Sequence, residues 1–122
     1  MRAKDAIGRF GEDVAVRFLT DAGLTVLERN WRCPFGEIDI VAHEGQELVV
    51  VEVKTRSSAA FGSPAEAVDR AKAARLRRLA VAWIDAHRGD PAVPPWTAVR
   101  IDVVAVVRDR RGLLVDHFPG AV

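Results

Sequence analysis

FGEIDIVAHEGQELVVVEVKTR, residues 35–56, reads as two strands joined by a tight turn. Phe35 to His43 alternates, which predicts Ile38, Ile40 and Ala42 on one face and Glu37, Asp39 and Val41 on the other. Glu44-Gly45-Gln46 breaks the pattern, and Leu48-Val49-Val50-Val51 follows as an unbroken apolar run. Such a run predicts a central strand covered on both faces. If Gly45-Gln46 is a two-residue loop, with glycine first as a type II′ turn prefers, Glu44 pairs with Glu47. Counting outward, Asp39 then stands opposite Glu52, about 5 Å away at Cβ. Two like charges so placed destabilise a hairpin unless something neutralises them, and a three-residue loop would break this register.

Glu52 and Lys54 extend from the most apolar strand of the chain, where ionised groups are costly unless paired or bound to a metal. Two carboxylates and a backbone carbonyl make a hard-oxygen site suited to Mg²⁺. Lys54, two residues on and on the same strand face, is placed to hold a water or a developing negative charge. The ordinary alternative is a surface ion pair between Glu52 and Lys54, since E-x-K is a common tripeptide. An acid across a hairpin from Glu52 weighs against that alternative.

On the N-terminal side, Asp5 to Ala22 is predicted as a helix. Its apolar stripe is Ile7, Phe10, Val14, Phe18 and Ala22, widened by Ala15 and Leu19, and Gly23 ends it. Glu12 falls at the border of that stripe, where it can reach around the sheet toward a shared metal or remain a solvated flank residue. Leu24 to Trp31 is a predicted strand, closed by a turn at Cys33-Pro34.

On the C-terminal side, Ser63, Pro64 and Glu66 match a capping box and predict the start of a long helix. Val68, Leu76, Leu79 and Trp83 form its stripe, and Gly89 with Pro91 marks its end. Lys72 falls in the middle of this stripe, so it must either snorkel to solvent or meet a negative partner. Pro91, Pro94 and Pro95 form a stiff connector. Thr97 to Val107 is a further strand, and Arg111-Gly112 turns into a last one, Leu113 to Phe118. The expected fold is α/β: a mixed sheet of about five strands flanked by helices, in the order α-β-β-β-α-β-β.

The 122 residues suffice for one domain. No apolar run reaches the roughly 18 residues of a membrane span, and the N-terminus lacks the apolar core of a secretory signal. A single cysteine, Cys33, excludes an internal disulfide and a Cys-based zinc site. These features suit a cytoplasmic protein. The net charge is only +1, but Arg70, Lys72, Arg75, Arg77 and Arg78 follow one another without an acid between them. Arg29, Arg32, Lys54 and Arg56 form a looser basic group, and Arg108, Arg110 and Arg111 a third. Converging basic groups suit a phosphate backbone; the plainer alternative is solvated helix and loop positions. Trp31, Phe35 and Phe61 are candidates to stack on bases, although core or loop-anchoring roles are the more ordinary expectation.

With GRFGEDVAVRFLTDAG, ERNWRCPFGEIDIV, LVVVEVKTR, FGSPAEAV with Lys72, and RIDVV in place, the chain resembles the YraN-type family, uncharacterised protein family 0102. The resemblance spans Gly8 to Val104. It implies a PD-(D/E)XK, restriction-endonuclease-like fold similar to archaeal Holliday-junction resolvases. Carried over residue by residue, Glu12 corresponds to the helix-one acid, Asp39 to the motif aspartate, and Glu52 with Lys54 to the (D/E)XK pair. Asp102 also matches a family position, with a structural ion pair to Arg100 or Arg56 as the alternative. The implied activity is endonuclease cleavage of DNA, branched or structured, with Mg²⁺ or Mn²⁺ held by Asp39, Glu52 and Glu12. Arg56, Lys72 and Arg75 would then bind phosphates. A homodimer would suit paired cuts. The competing expectation is a nucleic-acid-binding or adaptor protein on the same fold without turnover. A hydrolase of small phosphate compounds is less favoured, because there is no Gly-rich phosphate loop and His43, His87 and His117 are scattered.

Overall fold

In the computed structural model, residues 3–56, 69–91, 93 and 95–121 are described. Two of its strands, β2 (Gly36–Glu44) and β3 (Glu47–Arg56), meet at the two-residue turn Gly45-Gln46. Gly45 has φ +59 and Gln46 is not in the positive-φ region, as a type II′ turn requires. The register is the predicted one, with Glu44 opposite Glu47. Helix α1 (Ala3–Asp21) and strand β1 (Thr25–Cys33) precede this hairpin. Helix α2 (Arg70–Ala86), β4 (Ala98–Asp109) and β5 (Gly112–Phe118) follow it. The sheet order is β1-β2-β3-β4-β5; β3 and β4 run parallel, and the other neighbours are antiparallel.

β3 lies at the centre because its apolar run can be buried on both faces. Leu48 and Val50 pack under α2 with Ile38, Val41, Leu76, Leu79, Trp83 and Ile101. Val49 and Val51 pack under α1 with Ile40, Ala42, Ala15, Leu19 and Val104. The result is an α/β fold of three layers, helix on sheet on helix, with the predicted element order.

Three expectations are corrected. The buried line of α1 is Gly11, Ala15 and Leu19, while Ile7 and Phe18 lie exposed on its flank. Small residues sit at the centre because the helix backbone approaches β3 closely: a Cβ on Gly11 would lie 1.8 Å from Thr55 Oγ1. Second, α2 begins at Arg70, where the Asp69 side chain accepts the Lys72 backbone N–H at 2.8 Å. The capping box Ser63-Pro64-Glu66, along with Val68 and Phe61, lies outside the described residues. Third, Ile38 does not share a face with Ile40 and Ala42. It joins the α2 core, whereas they join the α1 core, so alternation fails between Ile38 and Ile40. Across the ladder from this point sits Asn30, in the left-handed region at φ 53, between the pairs Arg29–Ile40 and Trp31–Ile38.

Asp102 on β4 is fully buried and is tied down by a charge network. Arg100 donates to both of its oxygens at 2.8 and 3.0 Å, His117 Nε2 lies 2.7 Å away, and the Gly120 N–H donates at 2.9 Å. Arg100 also reaches Glu44 and Glu47 beside the hairpin turn. Of the two predicted partners of Asp102, Arg100 is the one observed to bond it.

Candidate functional site

The β2–β3 ladder stops at Ile40–Val51, one pair short of Asp39 and Glu52. The strands part there, and the Val53 N–H donates to Asp39 Oδ2 at 2.9 Å. Asp39 therefore lies in the gap between the strands and does not stand square across from Glu52, which corrects the predicted opposition. The failed alternation at Ile38–Ile40 produces this, because it turns Asp39 toward α1. Distortions of this kind commonly re-aim a side chain next to a site. Burial, and next the Glu52 charge, push the Asp39 pKa up to about 7; Glu12 and Glu37 add to the rise and the Val53 N–H opposes it.

Glu12 enters from α1. It lines a cavity of about 550 Å³ with Gly8, Asp39, Val53, Lys54 and Thr55. Burial raises its pKa, while the Arg29 charge and the Asn30 side chain oppose the shift. Oε1 of Glu12 is nevertheless buried without a hydrogen-bond partner among the described residues. Nothing in sequence pattern singled out Asn30 as part of this surrounding. The only signal was that asparagine tolerates left-handed backbone better than most residues.

Glu52 projects to the opposite side of β3, toward α2. Its Oε1 accepts from Lys72 Nζ at 2.7 Å and lies 3.6 Å from Lys54 Nζ. Lys72 thus meets the negative partner that its place in the buried stripe demanded. The two outer predicted residues are less enclosed: Arg56 is half-buried at the end of β3, level with Val107, and Arg75 is exposed one turn beyond Lys72. The histidines stay apart: His43 is near Gly45, His87 is against Trp83 and His117 is on Asp102.

Whether these residues suit a metal can be judged from their chemistry. Among the described residues, no group of three or more His, Cys, Asp or Glu side chains is gathered closely enough to hold an ion. The carboxylates straddle β3, with Glu12 on the α1 side, Asp39 in the gap and Glu52 on the α2 side. The donor set is still that of a hard cation: an aspartate whose burial disfavours its ionised form, beside a buried carboxylate oxygen with nothing among the described residues to accept from. By their chemistry Asp39 and Glu12 suit such an ion, whereas Glu52 lies across β3 and is already bonded to Lys72.

Fold and site together define a three-layer α/β protein whose central strand ends in a cluster of carboxylates and lysines. The chain belongs to a family described as "Uncharacterised protein family UPF0102", whose profile matches residues 11–106. It is 60% identical to a UPF0102 protein of Beutenbergia cavernae over 124 residues, with 98% of each chain covered. It is 56% identical to one of Streptomyces griseus, with 98% of each chain covered. Identity to a Frankia alni UPF0102 protein is 53%, covering 99% of this chain and 98% of that one. No described helix is long and apolar enough to cross a membrane.

Proposed function

We propose that this protein is a metal-dependent endonuclease that hydrolyses phosphodiester bonds of branched or structured DNA in the cytoplasm. One observation carries the proposal: Asp39 and Glu52 share the parted end of β2 and β3, and their mutual repulsion helps hold the Asp39 pKa near 7. Lys72 answers Glu52, but no described cation pairs with Asp39, and a buried carboxylate so placed is costly unless a metal ion takes it up.

Asp39, Glu12 and Glu52 are the residues to hold Mg²⁺ or Mn²⁺. When bound, such an ion polarises the phosphodiester and lowers the pKa of a coordinated water. The protein's own share is electrostatic. Lys54, loosely paired with Glu52, is free to turn toward negative charge building on the phosphate. Lys72 holds Glu52 in place and offers a second cation to the same phosphate. Arg56 and Arg75 extend the positive surface along β3 and α2 for flanking phosphates. A symmetric dimer would give paired cuts across a junction.

A second reading, a nucleic-acid-binding or adaptor protein without turnover, draws support from the spread of the carboxylates across β3 and from the neutralisation of Glu52 by Lys72. The test is cleavage of labelled four-way junction, flap, duplex and single strand with Mg²⁺, Mn²⁺ or EDTA, using wild type and Glu52→Ala. Metal-dependent cutting that disappears in Glu52→Ala is expected. Binding that ignores metal, without cutting by either protein, would favour the second reading.

A further inference from the structure

The β1–β2 turn at Pro34-Phe35 leans on α2, since a Cβ on Gly36 would meet Leu79 Cδ1 at 3.5 Å. Leaning there, the turn holds Phe35 outside the core: 72% of its surface is exposed, whereas Trp31 is tucked against the α2 core. The anchoring role that is more ordinary for aromatics therefore suits Trp31 and not Phe35. An aromatic ring so exposed loses hydrophobic stabilisation unless something covers it.

Phe35 forms one wall of a groove of about 620 Å³ that runs along the outer flank of α2, over Val81 and Ala82. That volume is in the range of ligand sites, roughly 300–1,000 Å³. Val81 is itself 55% exposed. The rim is basic. Arg75 and Arg78 line it and make no ion pair with any described residue, and the one acid present, Asp85, is already bonded to Arg88 at 2.6 Å. An apolar floor edged by Arg75 and Arg78, which no described acid pairs, calls for a ligand that is flat and apolar on one side and anionic at its edge.

The groove starts one helical turn beyond Lys72, on the outer flank of α2. Arg75 and Arg78 lie about 4.5 and 9 Å along α2 from Lys72 at 1.5 Å per residue. Asp39 follows Phe35 by four residues on β2, about 13 Å along the strand.

We propose that this groove binds an unpaired stretch of nucleic acid beside the cleavage position, with a base stacked on Phe35 and its phosphates against Arg75 and Arg78. This rests on the nuclease reading and deepens it: the substrate carries a single-stranded segment, because bases stacked inside a duplex cannot reach the ring. Stacking of this kind tolerates any base, since every base has a π face.

The test is fluorescence anisotropy in EDTA, so that binding is read apart from cleavage, with a labelled oligo(dT), a duplex of equal length and a flap. Phe35→Ala is expected to weaken oligo(dT) and flap binding roughly tenfold, with duplex binding changed less than about twofold. Phe35→Trp restores it, and Arg78→Glu weakens all three and flattens the salt dependence. Phe35 is exposed, so Phe35→Ala folds normally, which its thermal melt confirms. Unchanged oligo(dT) binding by Phe35→Ala, or equal loss on strand and duplex, overturns the proposal. So does a Phe35→Ala protein that keeps strand binding while its sedimentation shows loss of a dimer, which would make the groove a self-interface. Selective loss of strand binding in a protein that cuts nothing would retain the groove and remove the nuclease. Metal-dependent flap cutting indifferent to Phe35→Ala would do the reverse.

Discussion

Lys72, twenty residues beyond Glu52 in the chain, is the nearest cation to it among the described residues, at 2.7 Å against 3.6 Å for Lys54. The lysine of the E-x-K tripeptide is thus the looser partner. Lys54 is also the more exposed, at 32% of its side-chain surface against 20% for Lys72. This divides the two lysines by geometry, with Lys72 fixing the carboxylate and Lys54 held more loosely beside it.

Lys72→Met keeps the apolar stem in the α2 stripe and removes only the charge, so stability should change by less than about 1.5 kcal/mol. Glu52 then loses its main neutralising partner. Mn²⁺ binding, read by calorimetry, should tighten several-fold, while cleavage at saturating metal drops about tenfold or more. If both quantities stay at their parental values, the pair is only structural.

Asp39 keeps its proton in the folded chain up to about pH 7, but an unfolded aspartate releases it near 3.8. Between those values the folded state binds more protons, so stability contributed by this group is present at low pH and lost as pH rises through the window. The limiting slope is about 1.4 kcal/mol per pH unit. Asp39→Asn keeps an oxygen for the Val53 N–H and removes the slope. In EDTA the variant should match the parent near pH 4 and exceed it by roughly 1–3 kcal/mol at pH 7.5 in urea melts. Parallel curves across the window would contradict the shifted pKa.

Glycine in a helix interior ordinarily invites replacement by alanine, with a gain of roughly 0.5–1 kcal/mol. Gly11 reverses the sign. Its new Cβ would meet Thr55 Oγ1 at 1.8 Å and Thr55 Cβ at 2.9 Å, so Gly11→Ala should cost about 1–3 kcal/mol. Adding Thr55→Ala removes the closest atom and should recover part of that loss, giving a favourable coupling in a double-mutant cycle. Strictly additive losses would mean that the helix does not rest on Thr55.

Asp102→Ala leaves His117 Nε2 and the Gly120 N–H without their acceptor and Arg100 with only Glu44 and Glu47. Breaking a buried charge network of this kind costs about 3–5 kcal/mol. Mn²⁺ affinity of the folded remainder should stay within about twofold, since the bonds of Asp102 run to Arg100, His117 and Gly120, away from the carboxylates on β2 and β3. A metal-binding loss larger than the stability loss explains would give Asp102 a place in the site.

The order of elements was legible because it depends on local chemistry: a glycine-first turn, an apolar run long enough for a buried strand, and stripes at helical spacing. Lys72 was legible for the same reason, as a charge at the centre of an apolar stripe. The orientation of Asp39 was not. A period of two predicts it on the Val41 face, and only the paired distortion at Asn30 and Ile38–Ile40 turns it toward α1. The buried line of α1 was misplaced because Gly11 and Ala15 carry weak hydrophobic signals, although close packing demands them. The exposure of Phe35 depends on how the β1–β2 turn meets α2, a tertiary fact that composition does not encode.

The order in which the site assembles follows from the topology. Asp39 and Glu52 sit on one hairpin closed by two residues, a unit that forms in roughly 1–10 μs. Lys72 arrives only with the crossover that sets β4 parallel to β3, a non-local closure that is intrinsically slower. The folding chain therefore brings its acids together before their cation, and local opening of α2 would return it to that state. Pulsed hydrogen exchange should find β2–β3 amides protected before those of α2. Late arrival of the lysine makes completion of the site one of the last events of folding, so a partly folded chain carries the acids without their cation.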